Sequence, residues 1–237
     1  MDTLESRIRR VREELERAAL AAGRPAEDIT LVAATKTQSS DTIRRAIAAG
    51  LRVCGENRVQ ELTAHLADNA YEGAELHFIG HLQTNKVKYV VGRVALIHSV
   101  SSEKLLLAIQ RQAEKLDVIQ DILLEINLAG EGSKSGFAPE EAPAAARLAA
   151  ALSHVRLRGL MCIPPPAIRP GQNRPFFAKL RALAVDISRE IEDNKVDIVF
   201  LSMGMSEDYQ DAVAEGATHI RLGTALFGPR PPVGTPR

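Results

Sequence analysis

Lys36 closes an apolar, β-rich run, Ile29-Thr30-Leu31-Val32-Ala33-Ala34-Thr35-Lys36, and Thr-Gln-Ser-Ser-Asp follows it as a helix start. One lysine thus stands at the carboxyl tip of the first credible strand. Far along the chain lies a second polar constellation, Ser202-Met203-Gly204-Met205-Ser206 and then Arg221-Leu222-Gly223-Thr224. Each part follows a strand-like segment, Ile198–Leu201 and Thr218–Ile220. A lysine amine facing a cradle of Gly, Ser, Thr and Arg has the parts to hold a phosphorylated aldehyde as a Schiff base. Glycines let backbone N–H groups approach an anion, and hydroxyls and a helix start at Ser206 add donors. The same residues admit plainer readings: a solvated surface lysine and glycines that merely turn the chain.

What must position them is an alternation of strands and helices. A leading helix over Thr3–Ala22 carries Leu4, Ile8, Val11, Leu15 and Ala18-Ala19 on one stripe and ends at Gly23-Arg24-Pro25. Strands follow at Ile29–Ala34, Leu51–Cys54, Leu76–Ile79, Ala95–Ser99, Ile119–Ile126, Arg156–Met161, Ile198–Leu201 and Thr218–Arg221. Helical stretches separate them at Asp41–Ala49, Arg58–Asp68, Asn85–Val91, Glu103–Leu116, Pro139–Leu152, Pro175–Ile191 and Ser206–Glu215. This is the pattern of a (β/α)8 barrel, a TIM barrel with an extra N-terminal helix. A doubly wound sheet would want a Gly-rich turn after its first strand, where Thr35-Lys36-Thr37 stands instead. In such a barrel, functional groups belong on the loops after strands, and phosphate commonly binds after strands seven and eight. Lys36 at the mouth would lose hydration beside Arg221, which favours a nucleophilic amine.

No linker or composition shift divides residues 1–237, so one barrel domain is expected, with an extended tail over about 229–237. The loop from Ile163 to Arg174, with three successive prolines, reads as a rigid connection or a lid. Lys+Arg and Asp+Glu are both 30, so no basic excess marks a nucleic-acid or anionic-membrane partner. No apolar run reaches the roughly 18 residues of a membrane span. The charged N-terminus is unlike a signal peptide, and Cys54 and Cys162 lack ligand spacing, so reduced thiols in a cytoplasm are expected.

Other polar loops enter helices: Gly55-Glu56-Asn57-Arg58 after the second strand and Gly80-His81-Leu82-Gln83-Thr84-Asn85-Lys86 after the third. Capping explains part of each, yet Asn57, Arg58, Gln83 and Asn85 would cluster on one rim. His77 alternates with apolar neighbours and reads as a satisfied core histidine. Lys134, in the small-residue loop Asn127–Gly136, is either a secondary anion contact or part of a turn.

Taken together, Val32–Thr37, Gly55–Glu61, His77–Lys86, Ser133–Gly136, Gly159–Pro164, Leu201–Ser206 and Ile220–Gly228 resemble the pyridoxal-phosphate-binding YggS/PROSC family over nearly the whole chain. The resemblance implies a fold-type III barrel for pyridoxal 5'-phosphate (PLP), like the N-terminal domain of alanine racemase, with the cofactor held on Lys36. It implies cofactor contacts from Asn57, Ser202, Met203, Gly223 and Thr224, and Arg221 facing the pyridine nitrogen. An arginine there weakens the ring as an electron sink. Gln38-Ser39 replace the Lys-Pro common in the family, so a second rim lysine is missing. The implied role is a vitamin B6 homeostasis protein that buffers or delivers PLP, with apo PLP-dependent enzymes as partners. An amino-acid racemase and a Schiff-base aldolase are the alternatives. The racemase would need a second base, and none of Tyr71, Tyr89 and Tyr209 falls where one is expected. The chain stopping at Arg237 argues against a second domain and for a monomer.

Overall fold

Apolar residues at alternate positions of short segments, with amphipathic helices between them, can bury both faces of a strand only if the sheet closes or is covered on both sides. The chain takes the closed solution. The computed structural model describes residues 2–130, 135–191 and 196–229. Eight parallel strands close in sequence order: β1 (Thr30–Ala34), β2 (Val53–Glu56), β3 (Glu75–Phe78), β4 (Leu96–Val100), β5 (Gln120–Ile126), β6 (Val155–Cys162), β7 (Val196–Ser202) and β8 (His219–Leu222). Outside them lie α2 (Ser40–Ala48), α3 (Val59–Ala67), α4 (Glu103–Leu116), α5 (Ala142–Ala151), α6 (Arg174–Glu190), α7 (Tyr209–Ala214) and α8 (Thr224–Phe227). An N-terminal helix, α1 (Leu4–Ala21), precedes them and packs on α7 and α8. The expected (β/α)8 barrel with its extra helix is borne out.

The sequence explains the helix ends. Thr3, Ser39 and Ser102 each accept a backbone N–H three residues on, which supplies N-caps for α1, α2 and α4. Leu4, Ile8, Val11, Leu15 and Ala19 bury one stripe of α1. The eighth helix has only four residues, and Arg7 of α1 reaches over to donate from Nε to the Leu226 carbonyl at 2.9 Å. The leading helix thus supplies outer-layer packing that α8 is too short to provide.

Boundaries differ from expectation in several places. The stretch expected as a helix at Asn85–Val91 is a 3-10 segment, Thr84–Tyr89, in which Val87 alone is buried. One apolar anchor suits a short tight turn better than an α-helix. The helix expected to begin at Ser206 begins at Tyr209, because the Asp208 carboxylate first accepts the Met205 amide at 2.7 Å. β2 lies two residues later than expected. Ser202 belongs to β7 itself, not to the loop after it.

The barrel has two kinds of interior. Outward-facing Leu31, Ala33, Cys54, Leu76, Phe78, Ile97, Ile122, Leu160, Ile220 and Leu222 join the main core against the helices. Inside the barrel lie two small apolar clusters, Val32 with Ala34 and Ile79, and Leu96 with Leu123 and Met161. The rest of the interior is polar: His77, His98, Ser202, His219 and Arg221 are all buried. Both cysteines are free and buried, and burial pushes each thiol up to about 12. Among the described residues no helix is long and apolar enough to cross a membrane, and no His, Cys, Asp and Glu cluster could hold a metal.

Phe177 of α6 is fully buried in the main core. Truncation of such a residue removes transfer energy and leaves a cavity, so Phe177→Ala should cost about 3–5 kcal/mol. Urea unfolding followed by circular dichroism measures this, and a midpoint equal to that of the parent would contradict the packing described.

Candidate functional site

At the carboxyl ends of the strands, between β1, β7 and β8, opens a cavity of about 480 Å3. Its wall includes Ala34, Lys36, Thr37, Gln38, Asn57, Ile79, Ser206, Asp208, Arg221, Gly223 and Thr224. β1 runs beside β8 with Val32 opposite Arg221 and Ala33 opposite Leu222. That register sets Ala34 against Gly223, where an added Cβ would lie 3.6 Å from Ala34 Cβ.

Lys36 is half-buried in a turn closed by the Gln38 amide donating to the Thr35 carbonyl at 3.0 Å. Thr37, in that turn, has φ 65°, unusual for a β-branched residue, and its N–H donates to Glu61 Oε2 at 2.9 Å. Thr35 is fully buried, and its hydroxyl donates to Glu56 Oε1 at 2.6 Å. The lysine therefore leaves a turn tied to β2 and α3.

Arg221 lies under the cavity, 5% exposed. Its NH1 donates to Ser202 Oγ at 2.7 Å and its NH2 to the Cys162 carbonyl at 2.9 Å. Burial holds its pKa below the usual guanidinium range. Ser202 Oγ also pairs with His98 Nδ1 at 2.7 Å. Gly204 turns the chain above Ser202 at φ 91°, and its carbonyl accepts the Arg221 amide at 3.0 Å. An added Cβ there would lie 2.6 Å from Ala212 Cβ, so only glycine fits.

On the opposite wall Asn57 follows β2, and its Oδ1 is buried without a hydrogen-bond partner among the described residues. Gly80 permits this placement, since a Cβ there would lie 2.1 Å from the Asn57 carbonyl oxygen. A buried unpaired amide oxygen beside a cavity calls for a polar partner inside it. α8 begins at the cavity wall with Gly223 and Thr224, and Ser206 Oγ accepts the Ala225 amide at 3.2 Å. Asp208 lines the cavity too, but both its oxygens are engaged, with the Met205 amide and with Asn173 Nδ2.

Of the residues expected at the site, Lys36, Asn57, Arg221, Gly223 and Thr224 come together around the cavity. Ser202 lies beneath it and meets it through Arg221. Met203 is fully buried in the main core and does not line the cavity. Arg58, Gln83 and Asn85 are exposed and are not among the residues lining the cavity, with Arg58 pairing to Glu61. Lys134 falls outside the described residues. The loop from Ile163 to Arg174 forms one wall and is pinned. Asn173 Nδ2 donates to the Pro165 carbonyl at 2.9 Å, and the Gly171 amide donates to Asp211 at 2.7 Å. His77 is the satisfied interior histidine that was expected. His98 and His219 were missed, although Leu96-Ile97-His98 and His219-Ile220-Arg221 carry the same period-two signal.

A closed parallel barrel with a lysine and a buried arginine at its carboxyl mouth defines a lysine-bearing member of the (β/α)8 class. The family model for the alanine racemase N-terminal domain matches residues 3–231, and the chain belongs to that family. It is 43% identical over 94% of its length to the pyridoxal phosphate homeostasis protein of Aquifex aeolicus, covering 97% of that protein. It is 39% identical to the protein of the same name from Pseudomonas aeruginosa, with 97% of both chains covered. The solved structure of PipY from Synechococcus elongatus with PLP bound superposes with a TM-score of 0.80 at 33% identity, over 95% of this chain and all of that one. The resemblance read from the motifs is borne out.

The buried histidines make a prediction about acid. Burial pulls His219 down to about 3, and His98 is likewise held well below its ordinary range by burial. A histidine with a depressed folded pKa takes up its proton more readily when unfolded. Its contribution is therefore complete above pH ~6.5 and lost as pH falls from there toward the folded value. Between pH 7 and 5 the loss should be about 2 kcal/mol for His219. Urea midpoints at the two pH values, compared with His219→Gln, measure it: the variant should show a smaller drop, and equal drops would contradict the assignment.

Proposed function

We propose that this chain is a PLP-binding protein of vitamin B6 homeostasis. The observation that carries the reading is Lys36 and the buried Arg221 sharing one cavity with the start of α8. The residues present fit the cofactor: a primary amine for the aldehyde, the unpaired Asn57 Oδ1 for a polar substituent, and hydroxyls and amides at Ser206, Gly223 and Thr224 for the phosphate. The names of the relatives and the PLP bound to PipY point the same way. When bound, the cofactor supplies an electron-withdrawing ring bearing a reactive aldehyde. Lys36 would be its covalent anchor, and Arg221, donor-only, would face the ring nitrogen and keep a proton off it. Asn57 would orient the ring edge. Ser202 would act by holding Arg221.

We infer a carrier or regulator that keeps and hands on its cofactor, with amino-acid and keto-acid balance affected in consequence and apo PLP-dependent enzymes as recipients. Two features favour this over a racemase. An arginine at the ring nitrogen leaves that nitrogen unprotonated, which weakens the ring as an electron sink. No tyrosine lines the cavity: Tyr71 donates to Glu56 at 2.8 Å and Tyr209 to Glu14 at 2.7 Å, both outside the barrel interior. The aldolase reading would need a carboxylate acid–base pair beside the lysine, and of the two carboxylates on the wall, Glu207 and Asp208, Asp208 has both oxygens engaged.

Purified protein incubated with PLP should absorb in the visible, and borohydride should fix the label on the peptide containing Lys36. Lys36→Ala should lose both signals. Arg221→Ala and Ser202→Ala should weaken cofactor retention by about 1–3 kcal/mol, while Cys54→Ser stays near the parent. A protein that remains colourless with PLP would refute the reading. Chiral chromatography after incubation with L-alanine checks the carrier assignment. Robust inversion, lost in Lys36→Ala, would make the protein a racemase.

A further inference from the structure

Beneath the cavity a chain of side chains crosses the whole barrel. It runs from Arg221 NH1 to Ser202 Oγ at 2.7 Å, and from Ser202 Oγ to His98 Nδ1 at 2.7 Å. It continues from His98 Nε2 to His77 Nδ1 at 2.9 Å and from His77 Nε2 to Glu75 Oε1 at 2.6 Å. Arg221, Ser202, His98 and His77 are all buried, whereas the Glu75 side chain, at the first residue of β3, is 56% exposed at the amino-terminal mouth. The chain therefore joins the cavity to solvent on the far side of the protein.

Its two ends differ in kind. A guanidinium only donates and a carboxylate only accepts. With Arg221 donating to Ser202, the hydroxyl proton must go to His98 Nδ1, the only acceptor left for it among the described residues. His98 must then carry its proton on Nε2 and donate to His77 Nδ1. His77 in turn carries its own on Nε2 and donates to Glu75. From the other end the result is the same. In the reverse direction an unprotonated His77 Nε2 would face a carboxylate oxygen at 2.6 Å, and the Ser202 proton would be buried without an acceptor. The low pKa of His98 and the lowering of Glu75 by its hydrogen bond from His77 agree with this protonation pattern.

We propose that Glu75, His77 and His98 are positioning residues for Arg221, a one-way hydrogen-bonded relay in which a carboxylate on the far face fixes two imidazole tautomers and so presents the Ser202 oxygen to the guanidinium. Nothing in the relay touches the cavity except Arg221, so its members act through that residue. The consequence for cofactor affinity rests on the function proposed above, while the relay itself does not.

The test uses the full chain without cofactor, labelled with 15N-histidine. Long-range 15N–1H spectra near pH 7.5 should show His77 and His98 each as the single Nε2–H tautomer. Glu75→Ala, a change at a half-exposed position, should turn both into tautomer mixtures, and Glu75→Gln, which keeps a carbonyl acceptor, should restore them. An Nδ1–H tautomer for His98 in the parent, or a His98 spectrum unmoved in Glu75→Ala, would overturn the relay. In a second arm, the PLP dissociation constant should rise about three- to tenfold in Glu75→Ala and stay within about twofold in Glu75→Gln. Unchanged affinity in Glu75→Ala would overturn the positioning role. A parent protein that binds no PLP at all would refute the cofactor reading, and the tautomer spectra would still decide the relay.

Discussion

Burying a guanidinium inside a barrel imposes a requirement that most of the interior goes to meeting. A charge removed from water costs several kcal/mol unless its donors find acceptors of good geometry. Barrel interiors are ordinarily filled by layers of branched aliphatic side chains, which offer none. Here the acceptors come from Ser202 and the Cys162 carbonyl, on the adjacent strands β7 and β6. Supplying Ser202 with an acceptor of its own brings in His98, and satisfying His98 brings in His77. The polar column divides the apolar interior into two separate clusters.

A second buried network holds the opposite side of the site. Glu56 points outward from β2 and is fully buried. Its Oε1 accepts from Thr35 at 2.6 Å and Tyr71 at 2.8 Å, and lies 3.1 Å from His65 Nδ1. Burial first, then the Glu56 charge, drives the Tyr71 hydroxyl far above its ordinary range, so the phenol stays a donor. Thr35 is the residue just before Lys36, and its amide also donates to the Gly55 carbonyl at 3.0 Å. The lysine turn is thus clamped from outside the barrel, whereas the arginine is clamped from within.

Much of this was legible in the residues themselves. Period two carries Val32 and Ala34 on to Lys36, and His219 and Arg221 on to Gly223, which is why one lysine and one arginine could be assigned to the same mouth. The eight strands were recognisable because each is an apolar run bounded by helical pattern. What was missed follows from limits of that signal. Ser202 was taken for a loop residue because a polar side chain inside a strand looks like the end of the strand. His98 lies among Leu96, Ile97 and Val100, where one polar residue carries no visible partner. Its partners lie 21 and 104 residues away in sequence, a distance that only closure of the barrel bridges. Gln83 and Asn85 failed for the converse reason: they share a loop with groups near the site, but the 3-10 turn leaves them exposed.

The seam between β7 and β8 ties these threads together. β7 and β8 share a single register pair, Ser202 with His219, where β5 and β6 share seven. The seam is carried instead by bonds at and beyond the strand ends: the Met203 amide to the His219 carbonyl, the Thr218 amide to the Leu201 carbonyl, and the Arg221 amide to the Gly204 carbonyl, each at 3.0 Å. Two of these three belong to the segment that turns at Gly204 above the guanidinium. Closure of the barrel and the shape of the cavity therefore rest on the same hydrogen bonds. A perturbation that opens one must distort the other, and this couples the stability of the last strand pair to the geometry around Arg221 in a way that the longer seams elsewhere in the barrel do not.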